Sequence, residues 1–353
     1  MDCVVYPFTH FFLTTLEYLP TYRNDLNICE AVVPHGLMKS IISDEISCKI
    51  SNDFWTAIRR TEGLIIADFI SENRLREDVI EKIILSLEME KSVFCCMELR
   101  QEEKDYIREN TKKYELLFTE VSQMKKSVRK RRFLDLECPL IVTGGLLSCL
   151  PTDDIVMHMY DGYRSRGFRV ALVAENYNLC LLGALRFPKY VFECEDPTYV
   201  IRYLNQYFIS VQNETRADVI FLQLDEGFIR YSNFCVDNFG VRAFLTTQAA
   251  KPDYLVLRMP YNSWGIEEYQ KISELIRYRF GVTPGSFIIA PIQMNDNDIE
   301  ENEDLQYDRV KNEELKEYVA CLKGDCPEEE FYASMDNFDW DAIIERSLTE
   351  LSR

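Results

Sequence analysis

The stretch CPLIVTGGLLSCLPT, Cys138 to Thr152, decides how this chain reads. Residues 138–143 form a short apolar run, Gly144 and Gly145 make a turn, and apolar residues recur at helical spacing from Thr152 onward. Strand, glycine turn and helix are the layout of a phosphate-binding loop. A working loop of the form G-x-x-x-x-G-K-[ST] uses its second glycine to let backbone N–H groups approach phosphate. Its lysine neutralises the charge. Counted from Gly145, those two positions hold Leu150 and Pro151, and only the hydroxyl position survives, as Thr152. Proline offers neither an N–H nor a charge. The segment predicts the architecture of a nucleotide-binding sheet without its chemistry.

Outward from this segment, strands and helices alternate. Ile155, Val156, Met159, Tyr160 and Tyr163 make a helical stripe that Gly167 ends. Strands are expected at residues 168–174, 218–224, 253–259 and 286–292, and helices at 178–185, 197–210 and 266–280, the last stopping at Gly281. Upstream, residues 4–7, 28–34, 63–69 and 93–97 are short apolar runs of the kind buried on both faces of a parallel sheet. Between the last two, Leu75, Val79, Ile80, Ile83, Ile84 and Leu87 line one helical face. Such alternation implies an α/β fold with two parallel sheets. The predicted division is a Rossmann-like domain over residues 1–132, ending in a charged helical connector from Gln101 to Arg132. A degenerate P-loop-like domain follows over 133–294, and then an acidic tail over 295–353. The tail opens with NDNDIEENED, expected to be solvated and mobile. It closes with Trp340, Ile343, Ile344, Leu348 and Leu351 at helical spacing, as a helix docked on the protein's own surface or offered to a partner groove.

Composition sets the outer limits. A chain of 353 residues accommodates two domains, and its 47% hydrophobic content is ample for packed cores. A formal charge of −19 argues against general affinity for nucleic acid. The exception is a basic strip at Lys125, Lys126, Arg129, Lys130, Arg131 and Arg132, read as a solvated helix face or linker, with docking of an acidic partner as the alternative. No apolar run approaches the ~20 residues that cross a bilayer. The N-terminus lacks a basic leader, so a cytoplasmic location without membrane attachment is expected. Twelve cysteines occur without a C-x-x-C, and the three histidines (His10, His35, His158) do not cluster with them at zinc-like spacing. Cys321 and Cys326 alone are too few for a metal site. Reduced thiols are expected.

Ligands of parallel sheets sit beyond the carboxyl ends of strands. That rule selects Asp225 and Glu226, directly after the apolar run 219–224. There Asp225 can hold magnesium through water and Glu226 can polarise an attacking water. An ordinary solvated turn before Gly227 explains the pair equally simply. Ser148 and Thr152 place hydroxyls at the same edge, and Thr152 is first of all a helix N-cap, worth about 1 kcal/mol. Glu175 and Asn176 follow the next strand and face the same cleft. His158 falls inside a helix and reads as an ordinary helical side chain. Asp68 ends a strand where a dinucleotide fold places a ligand group, but no G-x-G-x-x-G accompanies it.

Several longer strings resemble one family. They are VVYPF (4–8), SNDFWTAIRRTEGLIIAD (51–68), PLIVTGGL (139–146), NYNLCLLGALRFPKYVF (176–192), DNFGVRAFLTTQAAKPDYLVL (237–257) and EEYQKISELIRYRFGV (267–282). Together they make the chain similar to the clostridial peptide maturation system proteins, which accompany radical-SAM maturases of small ribosomally made peptides. The resemblance implies a Rossmann-like domain joined to a degenerate P-loop-like domain. It also implies a role in maturing a modified peptide, with precursor peptide or maturase as partner, and assigns no reaction of its own.

The leading expectation is therefore an accessory protein that binds peptide, maturase or a nucleotide-like ligand without NTP hydrolysis. The alternative is a group-transfer or ligase-type enzyme. In it Gly144, Gly145, Ser148 and Thr152 cradle an anionic substrate at the helix N-terminus, while Asp225 and Glu226 serve as metal ligand and base.

Overall fold

The structure, a computed structural model, describes residues 1–34, 48–69, 73–121, 132–233, 236–262, 264–302, 307–326, 330–334 and 339–352. Of the basic strip, Lys125, Lys126, Arg129, Lys130 and Arg131 lie outside the described residues, as do residues 303 and 304 of the acidic run. Among the described residues no helix is long and apolar enough to cross a membrane. The chain divides into two compact units. The first comprises Met1–Lys125 with Asn176–Arg186, and the second Lys126–Glu175 with Phe187–Arg353.

Unit 1 is an all-parallel sheet of six strands: β1 (Asp2–Tyr6), β2 (Asn27–Val32), β3 (Lys49–Ser51), β4 (Gly63–Ile66), β5 (Ser92–Cys95) and β6 (Phe118–Glu120). Their order is β3-β2-β1-β4-β5-β6, the order of a dinucleotide-binding Rossmann sheet. Helices α1 (Leu13–Tyr22), α2 (Phe54–Arg60), α3 (Asn73–Glu88), α4 (Gln101–Asn110) and α5 (Tyr114–Leu117) complete the unit. The stripe expected on α3 is the one it buries. Val79, Ile83 and Leu87 pack with Val4, Leu64, Ile66, Phe54 and Ile58 in one core. Each such side chain contributes about 1.5–3 kcal/mol by leaving water. The expected helical connector is broken instead. Its apolar residues are too sparse to hold one long helix, so Ile107 and Tyr114 anchor two short ones, and Phe118 enters β6 beside Val93 of β5.

Unit 2 is built around β7 (Leu140–Gly145), with β8 (Val170–Ala174), β10 (Val219–Leu224), β11 (Tyr254–Tyr261) and β12 (Pro284–Met294) parallel to it. The short strand β9 (Leu185–Arg186) ends the excursion of the chain into unit 1. The order β12-β11-β7-β10-β8 leaves β7 with a neighbour on each side and every residue buried. Helices α6 (Asp153–Ser165), α7 (Pro197–Thr215), α8 (Val241–Ala249) and α9 (Ile266–Phe280) connect these strands. Gly167 and Gly281 follow α6 and α9 with φ of 91° and 77°, as the helix-stop reading required. Residues 178–185 form no α-helix. Tyr177–Leu182 wind as a 3-10 helix, because Asn176 accepts the Asn178 N–H in front and Gly183 turns left-handed behind, at φ 97°.

The stretch expected as an acidic tail with one terminal helix carries five elements of unit 2: α10 (Asp296–Asn302), β13 (Tyr307–Arg309), α11 (Asn312–Asp325), β14 (Phe331–Ala333) and α12 (Trp340–Leu351). β13 joins β12 antiparallel, and β14 joins it in parallel, with Phe331 opposite Phe287. Acidic composition concealed this because the few apolar residues, Leu315, Phe331 and Ile344 among them, are the buried ones. α12 docks on α6. The Tyr163 hydroxyl meets Ser347 Oγ at 2.8 Å, and Arg166 pairs with Asp341 at 2.9 Å and Glu345 at 2.8 Å. Gly162 is where the two helices close. A Cβ there would lie 2.2 Å from Ile344 Cδ1. If α12 is an integral layer, Ile344→Ala lowers the unfolding free energy by about 2–5 kcal/mol. Urea denaturation followed by fluorescence measures this, and an unchanged midpoint would reduce α12 to a loose appendage.

Candidate functional site

The carboxyl edge of β7 is closed by the chain's own atoms. Gly144 faces the ring of Phe228, whose Cε2 would lie 2.3 Å from a Cβ. Gly145 faces the carbonyl oxygens of Leu150 and Leu147, at 2.4 and 2.6 Å from the same imagined atom. The loop therefore curls inward and presents carbonyls where a phosphate loop presents N–H groups. Its donors are also engaged: Leu146 N–H donates to the Arg258 carbonyl at 2.8 Å, and Leu150 N–H to the Leu147 carbonyl at 3.1 Å. Leu146, Leu147, Leu150 and Phe228 are all buried. Thr152 occupies the N-cap position of α6 but makes no capping bond. It is fully buried, and its hydroxyl donates to Thr143 Oγ1 of β7 at 3.3 Å. Ser148 is half-buried.

Electrostatics at this helix start are inverted relative to an anion site. The first turn of α6 carries Asp153 and Asp154, which already complement the positive end of the helix dipole. Arg258 enters from β11, buried. It donates to Asp154 through Nη1 at 2.9 Å and Nη2 at 2.6 Å, to Ser334 Oγ at 2.9 Å, and to the Pro151 carbonyl. A guanidinium thus stands near the missing lysine's place, with its charge matched by a carboxylate. The loop does not fit a nucleotide phosphate. Arg258 is not among the residues that motif spacing singles out. The available signal was a lone arginine inside the apolar run YLVLRMPY, since a buried cation requires a partner.

The acidic residues do converge. β10 pairs with β7 so that Leu224 lies opposite Gly144, which brings Asp225 and Glu226 to the same edge. Glu175, at the end of β8, reaches under them. Its Oε2 accepts the Asp225 N–H at 2.7 Å and the Glu226 N–H at 3.3 Å. Gln223 donates to Asp225, and Arg242 pairs with Glu226 at 3.2 Å. Glu175 is buried, and its Oε1 has no hydrogen-bond partner among the described residues. No group of three His, Cys, Asp or Glu side chains among the described residues is spaced to hold a metal ion. Asn176 does not join this cluster. It belongs to unit 1, where Nδ2 donates to the Phe11 carbonyl at 2.9 Å. His158 lies on α6, stacked on Trp340 at 4.1 Å with Nδ1 2.8 Å from the Asp154 carbonyl, as an ordinary helical residue.

The corresponding edge of unit 1 is also closed. Strand order reverses between β1 and β4, the place where such sheets take dinucleotides. Phe8 and Phe12 fill the turn after β1, both fully buried. Residues 176–186 lie across the strand ends. Asn178 Oδ1 accepts the Asp68 N–H at 2.6 Å, while Nδ2 donates to the Asp68 and Phe11 carbonyls at 3.1 and 3.3 Å. Tyr177 N–H donates to Asp68 Oδ2 at 3.2 Å, and Arg186 donates to the carbonyls of Cys95 and Cys96 at 3.0 and 2.9 Å. Asp68 holds a chain segment rather than a ribose.

No protein-family model matches the chain, and no curated protein matches it. Among solved structures it is similar to a DUF1611 family protein from Anabaena variabilis, with a TM-score of 0.63 over 99% of each chain at 10% identity. That likeness shows the fold. The MinD cell division protein of Aquifex aeolicus matches with a TM-score of 0.36 at 12% identity, over 61% of this chain and 98% of its own. Chloroplast FtsY from Physcomitrella patens matches with a TM-score of 0.34 at 12% identity, over 96% of each chain.

Two substitutions check the closed edges. Gly145→Ala forces a methyl group onto two backbone oxygens and lowers stability by about 3 kcal/mol. A thermal melt indistinguishable from wild type would mean that the loop opens at little cost. Asn178→Ala removes the side-chain amide that meets the Asp68 N–H and carbonyl in a part-buried setting and costs about 1–3 kcal/mol. Hydrogen exchange then reports faster exchange at Asp68; retained protection there would refute the assignment.

Proposed function

We propose that the protein is a non-hydrolysing accessory protein in the maturation of a ribosomally synthesised, post-translationally modified peptide. In this reading it binds the precursor peptide or the maturase, and uses the P-loop-like frame as a scaffold. One observation carries the absence of NTP hydrolysis. The loop after β7 is filled by Leu147 and Leu150, its Leu146 and Leu150 N–H groups are engaged, and its nearest guanidinium is held by Asp154. Phosphoryl transfer is almost entirely positioning and charge stabilisation around the phosphates. A loop that offers carbonyls and carboxylates supplies neither. The family strings support the peptide role.

The purified protein with magnesium is expected to turn over neither ATP nor GTP above background, while the cognate precursor peptide raises its melting temperature. Turnover that Asp225→Ala abolishes would overturn this reading.

A second reading, a group-transfer enzyme, draws on Glu175. A buried carboxylate oxygen without a partner among the described residues, beside Asp225 and Glu226, is equipped to meet a proton or a cationic group of a substrate. Stabilisation by a phosphorylated small molecule that Glu175→Gln removes would favour this reading over the first.

A further inference from the structure

Helices α3 and α4 pack against each other in unit 1 and leave a groove of about 540 Å³ beside their contact. On α3, Glu77, Ile80 and Glu81 stand at i, i+3 and i+4 and so share one face. On α4, Glu102 and Tyr106 share a face in the same way. Ile80, 9% exposed, gives the groove an apolar floor. Tyr106, 53% exposed, lines its side. Among the described residues the Tyr106 ring stacks on no other ring and its hydroxyl makes no hydrogen bond.

The base of the groove is tied together. Arg76 donates to both carboxylate oxygens of Glu103, the Nη2 bond being 2.7 Å, and to the Glu98 carbonyl. These bonds fix the start of α4 to α3, so the two sides keep their spacing before anything binds. A site arranged in advance loses less freedom on binding.

The charges that face the groove do not cancel. Arg76 is answered by Glu103, Lys82 by Asp78, Lys104 by Glu120 at 2.7 Å, and Arg108 by Asp105 and Glu115, each at 3.4 Å. Glu77, Glu81 and Glu102 line the groove, are exposed, and form no ion pair among the described residues. Arg100 is the remaining cation of the lining, so three carboxylates face one guanidinium. Glu77 and Glu81 also oppose each other, as like charges four apart on a helix do. The net charge of −19 attracts a partner of the same sign as the groove does, and opposes a second copy.

These features select a cation carried on an apolar stem. The stem covers Ile80 while the head reaches the carboxylates, and the exposed Tyr106 ring offers its face to the charge. A bare metal ion matches poorly, because no group of three His, Cys, Asp or Glu side chains among the described residues is spaced to hold one. We propose that the α3–α4 groove docks a basic peptide segment, seating one of its lysine or arginine side chains among Glu77, Glu81 and Glu102. The groove lies within unit 1 and uses none of the residues that carry the reading above, so the inference goes beyond it.

The test uses the full chain at an ionic strength of about 0.15 M, where charges more than about 8 Å apart are largely screened. The probe is a fluorescein-labelled synthetic peptide of interspersed lysine, leucine and serine, with a twin whose lysines are acetylated. Two triple variants each remove three exposed carboxylates. One carries Glu77→Gln, Glu81→Gln and Glu102→Gln in the groove; the other carries Glu267→Gln, Glu274→Gln and Glu317→Gln in unit 2. Anisotropy is expected to show the groove triple binding at least about tenfold more weakly than wild type, a difference near 1.4 kcal/mol, with the other triple within about twofold. Tyr106→Ala is expected to weaken binding about threefold. Melting temperatures equal to wild type are expected throughout, since every replaced side chain is exposed. Equal weakening by the two triples assigns binding to diffuse charge and overturns the proposal. No binding to wild type, equal binding of the acetylated twin, or wild-type affinity in the groove triple overturns it too. Light scattering that shows a dimer dispersed by the groove triple overturns it in favour of a second copy.

Discussion

Arg258 is the constraint on which unit 2 depends. A guanidinium in the middle of a parallel sheet carries a desolvation penalty of several kcal/mol unless an opposite charge and acceptors meet it. Here Nη1 and Nη2 are met from three places: Asp154 in the first turn of α6, the Pro151 carbonyl in the loop, and Ser334 beyond β14. One side chain therefore fixes the loop to the helix and brings the C-terminal part of the chain onto the sheet. Removing it would leave a carboxylate facing a helix start with no cation beside it. The same arrangement explains why the loop is not a phosphate site: the local charge is already settled within the protein.

Much of this was legible from residue order. Glycines at Gly144 and Gly145, the stripe Ile155–Tyr163 and the stops at Gly167 and Gly281 each encode a local requirement, and local requirements survive into the fold. Arg258 and Asn178 were not legible as site residues. Their roles arise from partners far along the chain, Ser334 for one and Asp68 for the other, and single-sequence patterns carry no such pairing. The C-terminal elements were hidden for another reason. Solvent-facing Asp and Glu dominate the composition there, while burial is decided by a minority of positions such as Phe331 and Ile344. The acidic trio shows a mixture. Asp225 and Glu226 were identifiable from the strand-end rule, but the service Glu175 gives to their backbone N–H groups was not.

Both sheets have a closed carboxyl edge, and they close it differently. In unit 1 a polar segment crosses the strand ends and meets their backbone groups with side-chain amides and a guanidinium. In unit 2 leucines and a phenylalanine fill the equivalent place. The first solution is made of hydrogen bonds and the second of packing, so they respond differently to conditions. Denaturants that solvate peptide groups press on the first, and cooling weakens the second as the hydrophobic term fades.

The excursion of residues 176–186 also bears on how the chain is made. Unit 1 is discontinuous: its last eleven residues are synthesised only after β7, α6 and β8. Until Asn178 emerges, the Asp68 backbone groups have no native partner in this segment, and the nascent first unit remains open at its carboxyl edge. Long-range closure of this kind is slow and leaves partly formed sheets exposed. No single cut through the chain yields two complete units, so the polypeptide has to be made, and inherited, as one piece.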